Sequence, residues 1–195
     1  MAELFFRYGA MGCGKTMQLL QVAFNYEERG QKVCVMKPAT DTKNGTKLLT
    51  RIGPERETNY CFDRRANLYN YIRKNYSDAA CILVDEAQFL TPKQADQLMQ
   101  VAVRLDIPVI CYGLRLNFRQ EDGGFEGSTR LLQIAHRIDE IKTICDCGRK
   151  ATLNTRWLNG KLVTDGPDIL IDDGTTKIEY RAICANCYFK YKEEK

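Results

Sequence analysis

Histidine, tryptophan and long apolar runs are scarce in this chain. Its 195 residues include one histidine and one tryptophan. The local pattern places the single histidine, His136, in a helix, where a surface role is commoner than a ligand role. Because no Cys-His or Ser-His-Asp set can form elsewhere, the sequence argues against nucleophilic triad catalysis.

The sequence also lacks the marks of a membrane, secreted or nucleic-acid-binding protein. No apolar run approaches the ~18 residues of a membrane span, and residues 1–3 lack the basic start of a signal peptide. The net charge is only +4, whereas nucleic-acid footprints show clustered Lys and Arg. We therefore expect a cytoplasmic protein with neither a membrane nor a nucleic acid as partner.

Short apolar segments alternate with amphipathic ones over the first three quarters of the chain. The pattern predicts strands at 3–7, 32–36, 81–84, 108–112 and 139–144, and helices at 16–29, 67–76, from 92 onward and at 128–137. Residues 40–60 show no periodicity, so we expect a long mobile loop there. Strands that alternate with helices indicate an α/β fold with a parallel sheet covered on both faces. The pattern stops near 144, which predicts two domains, 1–144 and 145–195.

A phosphate-binding loop follows the first predicted strand. Residues 9–16 match the pattern G-x-x-x-x-G-K-[ST]. The predicted ATP-binding residues here are Gly9, Ala10, Met11, Gly12, Cys13, Gly14, Lys15 and Thr16. Glycines let main-chain N–H groups point at phosphates, Lys15 reaches the β- and γ-phosphates, and the Thr16 hydroxyl binds Mg²⁺. The context of strand, turn and helix supports this interpretation over an accidental glycine-rich turn.

Two carboxylates end the apolar strand at 81–84. Ligands of open parallel sheets bind beyond the carboxyl ends of strands. Asp85 is therefore predicted to be the Walker B acid that supports Mg²⁺. Glu86 is predicted to be the base that accepts a hydroxyl proton or orients water. The alternative is that both are solvated charges before the next helix.

Four of the nine cysteines form two close pairs near the C-terminus. These are Cys145, Cys147, Cys184 and Cys187. Four thiolates in two pairs suit a tetrahedral, structural Zn²⁺ site, and a closed site of this kind is not catalytic. The alternative is four free thiols. Cys34, Cys81 and Cys111 lie in apolar runs, where a thiol behaves as a small hydrophobic group.

These features together resemble the type II thymidine kinase family, especially its enterobacterial-type branch. The matching stretches are 9–16, 25–30, 85–90, 105–109, 111–115, 118–119 and 143–151. The most specific combination is Asp-Glu-x-Gln-Phe at 85–89 with the phosphate loop and the paired cysteines. The similarity runs from about residue 3 to residue 191.

The resemblance implies a RecA-like P-loop domain and a small zinc-ribbon-like lasso that closes over a nucleoside. It implies transfer of the γ-phosphoryl group of ATP to the 5′-hydroxyl of thymidine, with Glu86 as base and Gln88 among the ATP-binding residues. Deoxyuridine is also expected as a substrate, and deoxycytidine as a poor one. The implied nucleoside-binding residues are Phe89, Leu114, Phe118, Ile171, Asp172, Asp173, Gly174 and Tyr180. The family further implies a homotetramer that thymidine triphosphate inhibits, working in nucleoside salvage for DNA synthesis.

Three stretches depart from the family pattern. They are Ile171-Asp172-Asp173-Gly174, where the family usually reads Ile-Gly-Gly, the longer loop at Asp122-Gly123-Gly124, and Asp41-Thr42-Lys43, where lysine replaces the usual arginine. We also expect an arginine to assist transfer, and the sequence does not rank its candidates. They are Arg51, Arg56, Arg64, Arg65 and Arg119. The rival hypotheses are a P-loop ATPase that uses water and a non-enzymatic nucleotide switch.

Overall fold

The computed structural model describes residues 1–39, 45–119, 124–167 and 176–193. In chain order the elements are β1 (Leu4–Tyr8), α1 (Lys15–Glu27), β2 (Val33–Pro38), β3 (Lys47–Leu49), β4 (Glu55–Glu57), β5 (Tyr60–Phe62), α2 (Leu68–Asn75), β6 (Cys81–Val84), a 3-10 turn (Ala87–Phe89), α3 (Pro92–Arg104), β7 (Val109–Gly113), α4 (Glu126–Ile134), β8 (Arg137–Glu140), β9 (Thr143–Ile144), β10 (Lys150–Ala151), β11 (Leu153–Leu158), β12 (Lys161–Val163), β13 (Ile178–Ile183) and α5 (Ala185–Glu193).

A six-stranded parallel sheet forms the centre of the molecule, as the sequence predicts. Its order is β5-β2-β6-β7-β1-β8, and every pair in it is parallel. Buried side chains of α2, α3 and α4 cover one face, and those of α1 cover the other. Because both faces are covered, β6 is buried along its whole length. The carboxyl ends of β1 and β6 therefore open on the same edge, with β7 between them.

The helix that follows β6 begins where its sequence predicts. Thr91 accepts a hydrogen bond from the main-chain N–H of Gln94, and the Gln94 side chain accepts one from the N–H of Thr91. This reciprocal capping box, with Pro92 in the first helical position, fixes the start of α3. The 3-10 turn before it thus has a rigid neighbour on its C-terminal side.

The expectation of a long loop at 40–60 is wrong for its described part, 45–60. β3 and β4 form an antiparallel hairpin there, and β5 begins at Tyr60. Leu48, in β3, is buried in the core cluster that lies between α1 and the sheet. The hairpin strands have three residues each and are mostly polar, so they produce no periodic signal. One buried leucine and strand pairing order this segment.

The boundaries around His136 also differ from the prediction. Helix α4 ends at Ile134, and Arg137 lies in β8 rather than in the helix. His136 lies between them, where its main-chain N–H donates to the Leu4 carbonyl and its Nδ1 accepts from the Leu4 N–H. Pairing of β8 with β1 therefore ends the helix early. The segment predicted as one strand, 139–144, is divided between β8 and β9.

The described residues after the parallel sheet form small antiparallel sheets and a helix. β12, β11 and β13 make one three-stranded sheet, and β9 pairs with β10. A separate core of buried residues, including Trp157 and Tyr188, fills this part. Among the described residues, no helix combines the length and the apolar character that a membrane span requires.

Candidate active site

The phosphate loop connects β1 to α1, and its glycines fit tight or left-handed positions. Gly12 and Gly14 have φ angles of 74° and 84°, which residues with a Cβ rarely adopt. A Cβ on Gly9 would lie 2.4 Å from Sγ of Cys13 and 2.5 Å from the Ile141 carbonyl oxygen. The loop is therefore closed tightly enough that only glycine fits at its start.

Lys15 folds back over the loop to which it belongs. Its Nζ donates to the carbonyl oxygens of Gly9 at 3.3 Å and Ala10 at 3.0 Å, and lies 3.5 Å from Sγ of Cys13. The ammonium group is thus held inside the turn. This places the loop's side-chain cation where its N–H groups gather an anion.

Thr16, in α1, and Asp85, directly after β6, contact each other although β7 separates β1 from β6 in the sheet. The Thr16 hydroxyl donates to Oδ2 of Asp85 over 2.9 Å. Asp85 is almost fully buried, and its Oδ1 makes no hydrogen bond within the described residues. Burial, followed by the charge of Glu86, raises the pKa of Asp85 to about 7. A buried carboxylate with an open oxygen beside a hydroxyl suits a hard cation such as Mg²⁺, which would keep it ionised.

Glu86 has an unusual backbone for a residue with a side chain. Its φ and ψ angles are 51° and 37°, in the left-handed region. Strained positions of this kind cost on the order of 1–3 kcal/mol and cluster at functional sites. The Gln88 side-chain amide donates to Oε2 of Glu86, and Gln88 Oε1 accepts from the Leu114 N–H at 3.1 Å. Gln88 therefore connects the predicted base to the end of β7.

Four of the predicted nucleoside residues are described by the structure: Phe89, Leu114, Phe118 and Tyr180. Phe89 follows Gln88 on the 3-10 turn and packs edge-on against Phe125, with ring centroids 5.5 Å apart. Phe118 follows β7 and Tyr180 lies in β13, but both rings contact one side chain, that of Arg156. The predicted nucleoside residues Ile171, Asp172, Asp173 and Gly174 lie outside the described residues, as do Asp41, Thr42, Lys43, Asp122 and Gly123.

Arg156 is a candidate site residue that no sequence motif marks. It is fully buried, and its guanidinium carbon lies 3.6 Å from the Phe118 ring centroid. Its Nε donates to the Tyr180 hydroxyl at 3.1 Å, and its Nη2 donates to the Pro167 carbonyl. A buried cation that joins two predicted nucleoside residues orients both. The pairing of β11 with β13, which is not local, places Arg156 opposite Tyr180.

Asn154 is a second missed residue. Its Oδ1 accepts from the Met11 N–H in the phosphate loop at 2.8 Å. Its Nδ2 donates to the Leu116 carbonyl, beyond β7, also at 2.8 Å. Asn154 is buried, so one amide side chain joins the C-terminal sheet to the phosphate loop. No short motif in the sequence marks this residue.

The four predicted zinc ligands come together. One ligand atom from each of Cys145, Cys147, Cys184 and Cys187 lies within 4.8 Å of the others, and such a group can hold a metal ion. The Cys147 and Cys184 sulfurs are 3.5 Å apart, far beyond the ~2.05 Å of a disulfide. This spacing is near the ~3.8 Å between thiolates that share a tetrahedral Zn²⁺ at ~2.3 Å.

Hydrogen bonding shifts the pKa values of two of these thiols in opposite directions. The Arg149 N–H, followed by the Cys184 and Cys187 thiols, lowers the pKa of Cys147 to about 6. The Cys147 and Cys184 thiols raise the pKa of Cys187 to about 12. The cluster thus favours a thiolate at Cys147 and keeps the proton of Cys187 in a hydrogen bond to its neighbours. A divalent cation would replace that proton among the sulfurs, and so the donor set fits zinc.

Proteins of one known family match this sequence over nearly its whole length. The sequence model described as thymidine kinase matches residues 2–188. A thymidine kinase of Chromobacterium violaceum is 46% identical over 190 residues, which cover 96% of this chain and 98% of that protein. A thymidine kinase of Streptococcus gordonii is 43% identical over 192 residues, 97% of each chain. A thymidine kinase of Francisella tularensis subsp. holarctica is 42% identical over 191 residues, 94% of this chain and 95% of that one.

The similarity to one solved helicase structure is much weaker. The Pif1 helicase from Candida albicans aligns with 73% of this chain and 36% of its own, at 16% identity and a TM-score of 0.44. This likeness carries no argument about function. The sequence relatives, by contrast, extend over both the parallel sheet and the cysteine cluster. They confirm the family that the sequence motifs indicate: this chain belongs to the thymidine kinase family.

Proposed function

We propose that this protein transfers the γ-phosphoryl group of ATP to the 5′-hydroxyl of thymidine in nucleoside salvage for DNA synthesis. The observation that carries the proposal is the contact between Thr16 and Asp85, with Glu86 as the next residue. It joins a phosphate loop to an acidic strand end, the arrangement that P-loop enzymes use for Mg²⁺ and a triphosphate. Family membership supports thymidine as the acceptor.

The phosphate loop binds the triphosphate through its main-chain N–H groups and Lys15. Phosphoryl transfer needs positioning and charge neutralisation more than covalent chemistry. Thr16 and Asp85 are the residues that would hold Mg²⁺, which supplies charge neutralisation at the β- and γ-phosphates. Gln88, predicted to bind ATP, has both ends of its amide engaged by Glu86 and Leu114. Its contact with ATP stays a prediction.

Glu86 is the general base in this proposal. Its carboxylate takes the proton of the 5′-hydroxyl as the oxygen forms a bond to the γ-phosphorus. The bond between that phosphorus and the β,γ-bridging oxygen breaks, and ADP leaves. Gln88 holds the carboxylate by its Oε2 and is itself held by the end of β7. The left-handed backbone of Glu86 is strained. Because strained residues of this kind cluster at functional sites, the strain supports a catalytic role for Glu86.

The C-terminal part, 145–195, is proposed as a zinc-stabilised unit that closes over the nucleoside. The residues proposed to contact thymidine are Phe89, Leu114, Phe118, Ile171, Asp172, Asp173, Gly174 and Tyr180. The cysteine cluster supports this role because it brings both ends of the segment 148–183 to one point. We further propose a cytoplasmic homotetramer, inhibited by thymidine triphosphate.

A P-loop ATPase is the rival hypothesis, and substrate dependence separates the two. The test is ATP consumption by the purified protein with Mg²⁺ and thymidine, deoxyuridine, deoxycytidine or no nucleoside. We expect turnover with the first two and little with deoxycytidine, since mismatched buried polar groups discriminate strongly. Equal ATP consumption without a nucleoside would favour the ATPase, and equal kcat/KM for deoxycytidine and thymidine would contradict the proposed specificity.

A further inference from the structure

Arg51 lies against the phosphate loop. It belongs to the turn between β3 and β4, and a Cβ built on Gly12 would lie 3.6 Å from its Nη1. Gly12 is in the middle of the loop, three residues before Lys15. The hairpin therefore brings a second side-chain cation to the place where main-chain N–H groups gather phosphate.

The guanidinium of Arg51 is available to a ligand. Arg51 is exposed, and within the described residues it makes no salt bridge or side-chain hydrogen bond. The side chain thus rests beside an anion-binding loop with its donors uncommitted. Five donors in a planar fork match phosphate oxygens better than a lysine ammonium does.

The other candidate arginines are committed or remote. Arg56 forms two hydrogen bonds to Glu27, at 2.6 and 2.8 Å. Arg64 pairs with Glu126, and Nη1 of Arg119 donates to the Gly166 carbonyl at 2.8 Å.

Arg65 follows β5, which is four positions from β1 in the sheet, or ~19 Å at ~4.8 Å per strand. Of the five arginines, only Arg51 is thus placed beside the phosphate loop.

Three contacts fix the hairpin that carries Arg51. Leu48 is buried in the core cluster that includes Leu19 of α1. Arg56 binds Glu27 of α1, and Nζ of Lys37 donates to the Lys47 carbonyl at 3.1 Å. The turn itself is closed by Thr50, whose N–H and hydroxyl donate to the Pro54 carbonyl at 3.1 and 2.8 Å. Because α1 starts at the phosphate loop, the hairpin and the loop rest on one element.

We propose that Arg51 is a catalytic residue that binds the β- and γ-phosphate oxygens of ATP. The proposal deepens the proposed function and rests on it. In phosphoryl transfer, charge is spread over the oxygens of the transferred group and on the leaving oxygen, so an arginine there lowers the barrier. Lys15 is the only side-chain cation within the loop, and Arg51 supplies the second from outside it.

The test compares Arg51→Ala and Arg51→Lys with Lys47→Ala. Lys47 is an exposed cation on the same hairpin and pairs with Glu55, so it controls for charge and for disturbance of the hairpin. We expect Arg51→Ala to lower kcat by roughly 10²–10³-fold, the cost of one lost transition-state donor. Arg51→Lys should recover part of this loss, and Lys47→Ala should stay near the wild type.

Substrate binding gives the second measurement. Titration calorimetry should show unchanged thymidine affinity in Arg51→Ala and at most about a tenfold weaker affinity for Mg-ATP, since the contact strengthens in the transition state. A kcat within about threefold of the wild type in Arg51→Ala would overturn the proposal. An equal loss of kcat in Lys47→Ala would overturn it as well, because the effect would then come from the hairpin as a whole.

A double-mutant comparison tests how the hairpin positions Arg51. Glu27→Gln weakens the anchor at Arg56, and we expect it to lower kcat severalfold when Arg51 is present and little in the Arg51→Ala background. Equal effects in both backgrounds would contradict positioning through Arg56. A wild type that forms no thymidine monophosphate would contradict the proposed function, whereas transfer by the wild type with an unchanged kcat in Arg51→Ala would contradict only the role of Arg51.

Discussion

Met11 of the phosphate loop donates its main-chain N–H to Oδ1 of Asn154, on β11, across 2.8 Å. The same Asn154 amide donates to the carbonyl of Leu116, beyond β7. One buried side chain therefore joins the loop proposed to bind ATP to the C-terminal sheet proposed to cover the nucleoside. Removing it leaves a main-chain donor and a main-chain acceptor without their partner.

Asn154→Ala should lower stability and raise KM for both substrates. Each buried group left unsatisfied costs about 1–3 kcal/mol, which urea unfolding would detect. Asn159→Gly is the control. Asn159, in the turn between β11 and β12, accepts from the Lys177 N–H away from the loop, and its φ of 48° is one that glycine adopts without strain. If Asn159→Gly changes KM for ATP as much as Asn154→Ala does, Asn154 has no special connection to the phosphate loop.

Arg156→Met should affect thymidine more than ATP. Arg156 stacks on Phe118 and binds the Tyr180 hydroxyl, so methionine keeps most of the volume but loses both interactions. We expect KM for thymidine to rise roughly tenfold, in the range of a desolvated cation–π contact. KM for ATP should stay within about twofold.

Arg181→Met is the control for Arg156, because Arg181 stacks on Trp157 of the same sheet and is exposed. Steady-state kinetics with each substrate varied in turn would show the difference. Equal increases in KM for ATP and thymidine in Arg156→Met would contradict a role in nucleoside orientation.

Loss of the metal should remove thymidine binding before ATP binding. Cys184 lies just before α5 and Cys187 lies in its first turn. Together they anchor the C-terminal end of the segment 148–183 at the metal site. The phosphate loop is carried by β1 and α1, and its contact with the C-terminal sheet is made by Asn154 of β11, which is not one of the cysteine ligands. We expect about one Zn²⁺ per wild-type chain, since four thiolates make one tetrahedral site. Replacing Cys184 and Cys187 by Ser should abolish zinc content and thymidine binding, with ATP affinity largely retained.

Metal analysis and calorimetric titration with each ligand measure this outcome. Cys61→Ser is the control, since Cys61 lies outside the cluster and contacts Thr58. Full thymidine affinity in a folded, zinc-free protein would rule out the anchoring role of the cluster.

The parallel sheet and the phosphate site are predictable because their signals are local. An apolar run such as 81–84 followed by Asp85, or the glycine pattern at 9–16, is contained in a few consecutive residues. The chemistry of phosphate binding then requires those residues to meet. Contact between Thr16 and Asp85, 69 positions apart, follows from the parallel order of the strands.

The hairpin and the inter-sheet contacts are not predictable in this way. Lys47–Leu49 and Glu55–Glu57 are too short and polar to show alternation. Arg156 and Asn154 look like ordinary polar residues of a strand until β11 pairs with β13 and approaches the loop. Arg51 gains its significance from the position of the hairpin on α1. Each depends on tertiary packing, which sequence periodicity does not record.

The proposed transfer depends most directly on Glu86, the proposed general base. Glu86→Gln preserves the shape of the side chain but cannot accept the hydroxyl proton. Removing a general base costs ~10²–10⁴-fold in rate. ATP affinity should remain nearly unchanged, because the phosphate loop, Lys15 and Thr16 are untouched.

The most direct test follows radiolabelled γ-phosphate from ATP into thymidine monophosphate, with wild type and Glu86→Gln side by side and ATP affinity measured for both. The account predicts label in thymidine monophosphate with the wild type, and a loss of at least about a hundredfold in the variant at equal ATP affinity. Transfer by Glu86→Gln at a rate near that of the wild type, or label released only as inorganic phosphate by the wild type, would contradict it.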